Sequence, residues 1–166
     1  MNPKNLFDAF KKNGIDFFTG VPDSTLKHFT FYLDDVVPKK NHLIAANEGN
    51  SIGIAAGYHL STRKVPLVYM QNSGFGNAIN PLTSLVDQSV FSIPMIILMG
   101  WRGEPGKKDA IQHQKDGEIQ LDLLNTLEIP YDILPSKEDL ESIIERVVKS
   151  VSKNGSQHVI LIRKGL

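Results

Sequence analysis

The chain contains no cysteine. That excludes disulfides, thiolate catalysis and cysteine-based zinc sites. It has no excess of either charge: 18 Lys+Arg balance 18 Asp+Glu. Nucleic acid and anionic membrane are therefore not expected as main partners, because both favour a basic face. No uninterrupted apolar run approaches the ~20 residues that span a bilayer. The opening Met-Asn-Pro-Lys-Asn leads into an amphipathic segment in place of an apolar signal core, so a soluble cytoplasmic protein is expected. There is no Gly-x-Ser-x-Gly elbow, no His-Glu-x-x-His and no P-loop. His28, His42, His59 and His158 lack ligand spacing, so no metal site is expected in this chain.

What the chain does have is strands and helices in alternation. Asn2 and Pro3 open a helix that Gly14 ends, with Leu6, Phe7 and Phe10 at helical spacing. Ile15 to Thr19 reads as a strand and Gly20 to Ser24 as a turn, after which Asp23 or Ser24 caps a helix carrying Leu26, Phe29 and Leu33. Leu43 to Ala46 and Val65 to Met70 read as buried strands that both stop in polar residues. The helix Glu48 to Ser61 lies between them. After the loop Gln71 to Asn77 a helix is expected to about Val90, then a strand at Pro94 to Met99 and a polar loop from Gly100 to Gly117. Ile119 to Leu127 marks a helix, Tyr131 to Leu134 a strand, and Leu140 to Val151 a helix opened by a Ser136–Asp139 capping box. His158 to Ile162 closes the pattern. The expected architecture is α/β, one domain over residues 1–166, with a parallel sheet of about six strands and helices on both faces.

In such sheets the site lies at the carboxyl ends of the strands. Glu48 stands there, the only ionisable group between Asn41 and Tyr58 apart from His42. Taken alone it reads as an acid at a helix N-terminus, worth ~0.3–1 kcal/mol against the macrodipole. Gly49, Gly53 and Gly57 recur every four residues on the helix that follows. Each costs ~1 kcal/mol relative to alanine, so the stripe must serve close approach, by packing on the chain's own sheet or by contact with another subunit. Gly74-Phe-Gly76 is similar to a dinucleotide fingerprint, but Ile79 occupies the third glycine position and no acid follows at the ~20-residue offset, so a Rossmann site is not expected. The Gln71–Asn77 loop still offers backbone N–H groups and the polar side chains of Asn72, Ser73 and Asn77. Arg102 reads either as a surface charge or as a clamp for an anionic substrate. His113 reads as a solvated loop residue, or as an acid/base or an anion donor near the site.

Three stretches together resemble the pyrimidine-binding (Pyr) domain of thiamine-diphosphate-dependent decarboxylases: GIDFFTGVPDS, ANEGNSIGIAAGYHLSTRKVPLVYMQNSGFGNAINPLTSL and IPMIILMGWRGEPGKKDAIQHQKDG. The likeness runs over nearly the whole chain. It departs at Ala110-Ile111, where an acid and a proline are expected before Gln112-His113. It implies that Glu48 bonds a ring nitrogen of the cofactor's aminopyrimidine and manages a proton there, with a carboxyl pKa raised by burial. Pro22 matches the turn against the pyrimidine, with Asn72, Ser73 and Asn77 as further cofactor-side residues. Asp23 and Ser24 match positions facing the substrate, and Asp23, Arg102 and His113 are contacts to its anionic tail or its protons. The implied cofactors are thiamine diphosphate and Mg2+, the metal held by a diphosphate-binding (PP) domain. Nothing here matches that domain's Gly-Asp-Gly…Asn motif, so a PP subunit or a missing C-terminal domain is the expected partner, in a homo- or hetero-oligomer. The implied substrate is a small anionic 2-keto acid. Gly100 to Gly106 resembles the branch that converts phosphonopyruvate to phosphonoacetaldehyde and CO2. The sulfopyruvate branch and a non-catalytic Pyr-like binding module are the alternatives.

Overall fold

The structure, a computed structural model, describes residues 2–136 and 138–163. Six helices and six strands alternate: α1 (Pro3–Lys12), β1 (Phe18–Gly20), α2 (Lys27–Val36), β2 (His42–Ile44), α3 (Glu48–Thr62), β3 (Leu67–Gln71), α4 (Phe75–Ser84), β4 (Met95–Trp101), α5 (Ile111–Thr126), β5 (Tyr131–Leu134), α6 (Leu140–Asn154) and β6 (Gln157–Arg163). All neighbouring strands are parallel, in the order β2-β1-β3-β4-β6-β5. Parallel pairing needs a crossover between strands, and the helices are those crossovers. The α/β class, the single domain and the six-stranded parallel sheet agree with the sequence reading.

Successive strand residues point to opposite faces, and here both faces are covered. Leu67, Tyr69, Leu98 and Ile160 join Leu6 and Phe10 of α1, Leu33 of α2 and Ile144 of α6 in one layer. Val68, Met70, Ile97 and Leu161 join Ile52 of α3, Phe75 of α4 and Leu124 of α5 in the other. That is why Met95–Met99 reads as one continuous apolar run. The helix ends are chemically marked. The Asn2 side chain accepts from the amides of Lys4 and Asn5, Asn47 accepts from Asn50, and Gly155 ends α6 at a φ of 61°, a left-handed conformation that favours glycine.

Several boundaries differ from expectation. Residues 43–46 are not a buried strand: β2 is an edge strand, with Leu43 40% and Ile44 59% exposed. Helix α4 stops at Ser84, six residues early, because the Asp87 carboxylate takes the Ser89 amide at 2.8 Å and folds the chain into a turn, the local competition that ends helices. There is no Ser136–Asp139 capping box. Asp139 is itself the cap, accepting from Ser142 at 3.2 Å, while the Ser136 hydroxyl accepts from the Glu138 amide. Neither Asp23 nor Ser24 caps α2; Asp23 Oδ2 accepts from the Leu26 amide at 3.2 Å, one residue before the helix.

The largest difference lies in the expected loop 100–117. β4 continues to Trp101, and α5 begins at Ile111. The first two turns of α5 carry no apolar stripe because they lie on backbone. A Cβ at Gly103 would overlap the His113 carbonyl, and one at Gly117 would overlap the Gly103 carbonyl. The Trp101 indole donates to the Gly117 carbonyl at 3.1 Å. His113 is therefore a helix residue, not a loop residue.

Candidate active site at the carboxyl edge

Because β2, β1, β3 and β4 lie side by side in that order, the segments that follow them meet at one edge of the sheet. They form two groups. In the first, Glu48 is the opening residue of α3 and lies half-buried. Its Oε2 accepts from Asn77 Nδ2 at 2.9 Å. Oε1 lies against Gly74, where any Cβ would overlap the carboxylate. The glycine of the 71–77 loop is thus the notch that admits the acid. Gly49 closes the same corner, since a Cβ there would approach the Asn77 carbonyl at 2.7 Å. Gly53 and Gly57 behave differently: both are exposed, and a Cβ on either would meet nothing within 4 Å. Packing within the chain, on helix α4 rather than on the sheet, accounts for the first glycine of the stripe and not for the other two.

The second group surrounds Arg102. Its Nε and Nη2 donate to Asp109 Oδ2 and Oδ1 at 2.8 and 2.5 Å, and its Nη1 donates to Ser24 Oγ at 2.8 Å. The Asp109 carboxylate also accepts from the amides of Gly103 at 3.1 Å and Ala110 at 2.8 Å. The bond to Asp109 holds the Arg102 guanidinium above its usual range. Asp23, 7% exposed, keeps Oδ1 without a hydrogen-bond partner among the described residues. Burial pushes its carboxyl pKa up, against bonds from Thr25 and Leu26 and the nearby Arg102 charge. Gly100 gives it room, since a Cβ there would overlap Asp23 Oδ2.

The remaining expected residues divide. Asn72 is 3% exposed, and both ends of its amide are spent on the Arg102 backbone: Oδ1 accepts from Arg102 N at 2.8 Å and Nδ2 donates to Arg102 O at 3.0 Å. It therefore ties the end of β3 to the end of β4. Ser73 is exposed and bonded by Gln71, and Pro22 is exposed at the crest of its turn. His113 is half-buried and meets Gln71 Nε2 through Nδ1 at 3.5 Å. Glu48, expected to be a buried carboxylate, is only half-buried within this chain.

Asp109 was not singled out in the sequence, and Gly74 only as part of the dinucleotide-like Gly74-Phe-Gly76, not as the neighbour of Glu48. The signal for Asp109 is its place directly before Ala110-Ile111, where the resemblance expects an acid. For Gly74 there is no local signal, because its partner Glu48 lies on another element. Two histidines are buried elsewhere. His42 opens β2 and bonds Tyr69 Oη at 2.8 Å and Asp34 at 3.0 Å. His158, near the start of β6, bonds Asp132 at 2.8 Å. Among the described residues no group of three or more His, Asp or Glu could hold a metal ion. No helix among them is long and apolar enough to cross a membrane.

Known proteins resemble this chain in sequence and fold. Residues 4–124 match the family described as thiamine pyrophosphate enzyme, N-terminal TPP binding domain. The sulfopyruvate decarboxylase subunit alpha of Methanococcus maripaludis is 39% identical over 126 residues, 76% of this chain and 72% of that one. The phosphonopyruvate decarboxylase of Streptomyces viridochromogenes is 36% identical over 128 residues, 76% of this chain but only 31% of that one. Among solved structures, benzoylformate decarboxylase from Polynucleobacter necessarius superposes with a TM-score of 0.72 at 22% identity, covering 98% of this chain and 30% of that one; this likeness speaks for the fold alone. The chain belongs to the thiamine pyrophosphate enzymes, as their N-terminal TPP-binding domain.

Proposed function

We propose that this chain is the Pyr half of a thiamine-diphosphate-dependent 2-keto acid decarboxylase. Its substrate is a pyruvate carrying an anionic tail, phosphonate or sulfonate, and its reaction releases CO2. It works with a PP domain, on a partner subunit or in a C-terminal extension, that holds the diphosphate through Mg2+, in a cytoplasmic homo- or hetero-oligomer. The observation that carries the reading is the seat of Glu48, a half-open carboxylate at the carboxyl edge with one oxygen fixed by Asn77 and the other beside the bare Gly74.

That seat fits an aminopyrimidine edge: one carboxylate oxygen is anchored by Asn77, and the half-exposed carboxylate leaves a side that a planar ring can reach. When bound, thiamine diphosphate supplies the electron sink for decarboxylation. Glu48 holds and exchanges a proton at the pyrimidine nitrogen, a role it can play because Asn77 fixes its orientation. Pro22 and Ser73 wall the pyrimidine side, and Asn72 keeps the β3 and β4 ends in register beneath it. Ser24 and Arg102 bind the anionic tail, and Arg102 supplies the positive charge. Asp23 retains a proton longer than an exposed aspartate and, with His113, can deliver it on the substrate side. The exposed Gly53–Gly57 face, together with Leu43 and Ile44, is where the PP domain seats.

The test is reconstitution. The chain is combined with a PP-domain protein encoded beside it, thiamine diphosphate and Mg2+, and CO2 release is measured from phosphonopyruvate, sulfopyruvate and pyruvate. Turnover of a tailed substrate well above pyruvate is expected. No release from any of the three would sink the reading.

A further inference from the structure

We infer that Asp109 is a positioning residue that neutralises Arg102 and fixes its guanidinium against Ser24, so that the tail site takes a singly charged sulfonate in preference to a doubly charged phosphonate. The inference rests on the decarboxylase reading above and concerns how its anion site is charged. A bidentate arginine–carboxylate pair is the strongest common orienting device for a guanidinium. Here it uses Nε and Nη2, and Ser24 takes Nη1. The pair is enclosed: the Arg102 and Asp109 side chains are 15% and 4% exposed. Two backbone amides, of Gly103 and Ala110, add to the hold on Asp109. Rotating Arg102 toward a ligand would therefore break several bonds at once. An anion must instead come to the guanidinium's remaining N–H groups, of which Nη1 and Nη2 each keep one.

The charge count then selects the ligand. Arg102 and Asp109 cancel, and Asp23 adds negative charge or none. Lys107 and Lys108 are exposed on the following loop, and His113 faces Gln71. A sulfonate brings one negative charge at all ordinary pH values. A phosphonate, like a phosphate monoester, brings close to two above pH of about 6. Beside a partly desolvated guanidinium each uncompensated charge weakens binding by about tenfold or more. Glu48 is bonded to Asn77 and makes no ion pair with Arg102 among the described residues.

The experiment uses the reconstituted complex with its PP domain and compares kcat/KM for sulfopyruvate and phosphonopyruvate. The wild type is expected to favour sulfopyruvate by about tenfold. Asp109→Asn should move the ratio about tenfold toward phosphonopyruvate, mainly through a lower KM for that substrate, while kcat falls for both as Arg102 loses its orientation. Asp109→Glu, which keeps the charge, should keep the preference. A merely structural Asp109 would lower both substrates equally. Wild-type preference for the phosphonate, or an unmoved ratio in Asp109→Asn, overturns the inference. Calorimetric binding of the unreactive anions sulfoacetate and phosphonoacetate to the same complex reads the charge preference independently of turnover. Absence of CO2 from every keto acid would then sink the decarboxylase reading alone.

Discussion

Asp132 and Asp23 both lie beside an arginine, and their environments push them in opposite directions. At the outer edge of the sheet, Asp132 on β5 accepts from Arg146 at 2.9 and 3.2 Å and bonds His158 at 2.8 Å. Burial alone would raise its pKa, but the Arg146 and His158 bonds outweigh this and hold the carboxyl below its usual range. At the carboxyl edge Asp23 is more deeply buried, yet Arg102 is already engaged by Asp109, so Asp23 keeps an oxygen without a partner and its pKa is raised. The two pairs use the same residue types. In one, every strong group finds its partner within the chain, which is how a fold is held together. In the other, a buried carboxylate oxygen is left without a hydrogen-bond partner among the described residues, which costs stability and is how a site is prepared.

Substitutions can break that contrast. The largest effect is expected at Glu48→Gln, which keeps the bond from Asn77 and the shape but removes the titrating carboxyl. Activity of the reconstituted complex should fall by about 10²–10⁴-fold, with thermal stability of the chain unchanged. Near-wild-type turnover would show that Glu48 is only a helix-terminal acid. Gly74→Ala drives a methyl into the Glu48 carboxylate and should cost about 10²-fold in rate by displacing it, a loss that steady-state kinetics beside a circular-dichroism melt would assign to the site.

The outer pair should answer in the opposite currency. Asp132→Asn is expected to destabilise by about 2 kcal/mol, since it weakens charge-assisted bonds and leaves His158 with a poorer partner; urea denaturation measures this, and activity per folded molecule should be untouched. The pH dependence follows from the same groups. Burial lowers the pKa of His158 from 6.5 despite Asp132, so the unfolded chain binds more protons than the fold as pH falls through 6.5, and stability must drop there. His42, lowered mainly by burial and partly offset by Asp34, adds with the same sign. Asp132 extends the loss to lower pH, because its depressed folded pKa favours the fold above the unfolded value and ceases to as pH drops through the folded one. A stability-against-pH curve that is flat between pH 7 and 5 would contradict this. The smallest effect, and the sharpest contrast with Asp132, is Asp23→Asn. A raised carboxyl pKa destabilises the fold above the unfolded value, so this substitution should stabilise by about 1 kcal/mol at neutral pH while lowering turnover.

Much of the molecule was legible in the amino-acid order. Apolar periodicity, Asn2, Pro3, Asn47 and Gly155 set the alternation of helices and strands, because these signals act within a few residues. The resemblance carried the family. What was misread shares one cause. β2 was taken as buried since Leu43 and Ile44 are apolar, but strand order, which places β2 at an edge, is not a local property. The first turns of α5 were read as loop because they pack on the Gly103 backbone and need no apolar stripe. Asn72, expected on the cofactor side, bonds the Arg102 backbone through both Oδ1 and Nδ2, thirty residues away in sequence, which no local signal foretells.

By itself, then, the sequence determined the α/β class, the single parallel sheet and the one acid placed at a strand end before a glycine-rich helix. Only the tertiary structure decided that Gly74 makes room for Glu48, that Asp109 engages Arg102 and that Asp23 keeps an unpaired oxygen. Helix and strand periodicity are written into neighbouring residues, whereas the notch, the ion pair and the orphan each require atoms from segments brought together only when β2, β1, β3 and β4 line up side by side.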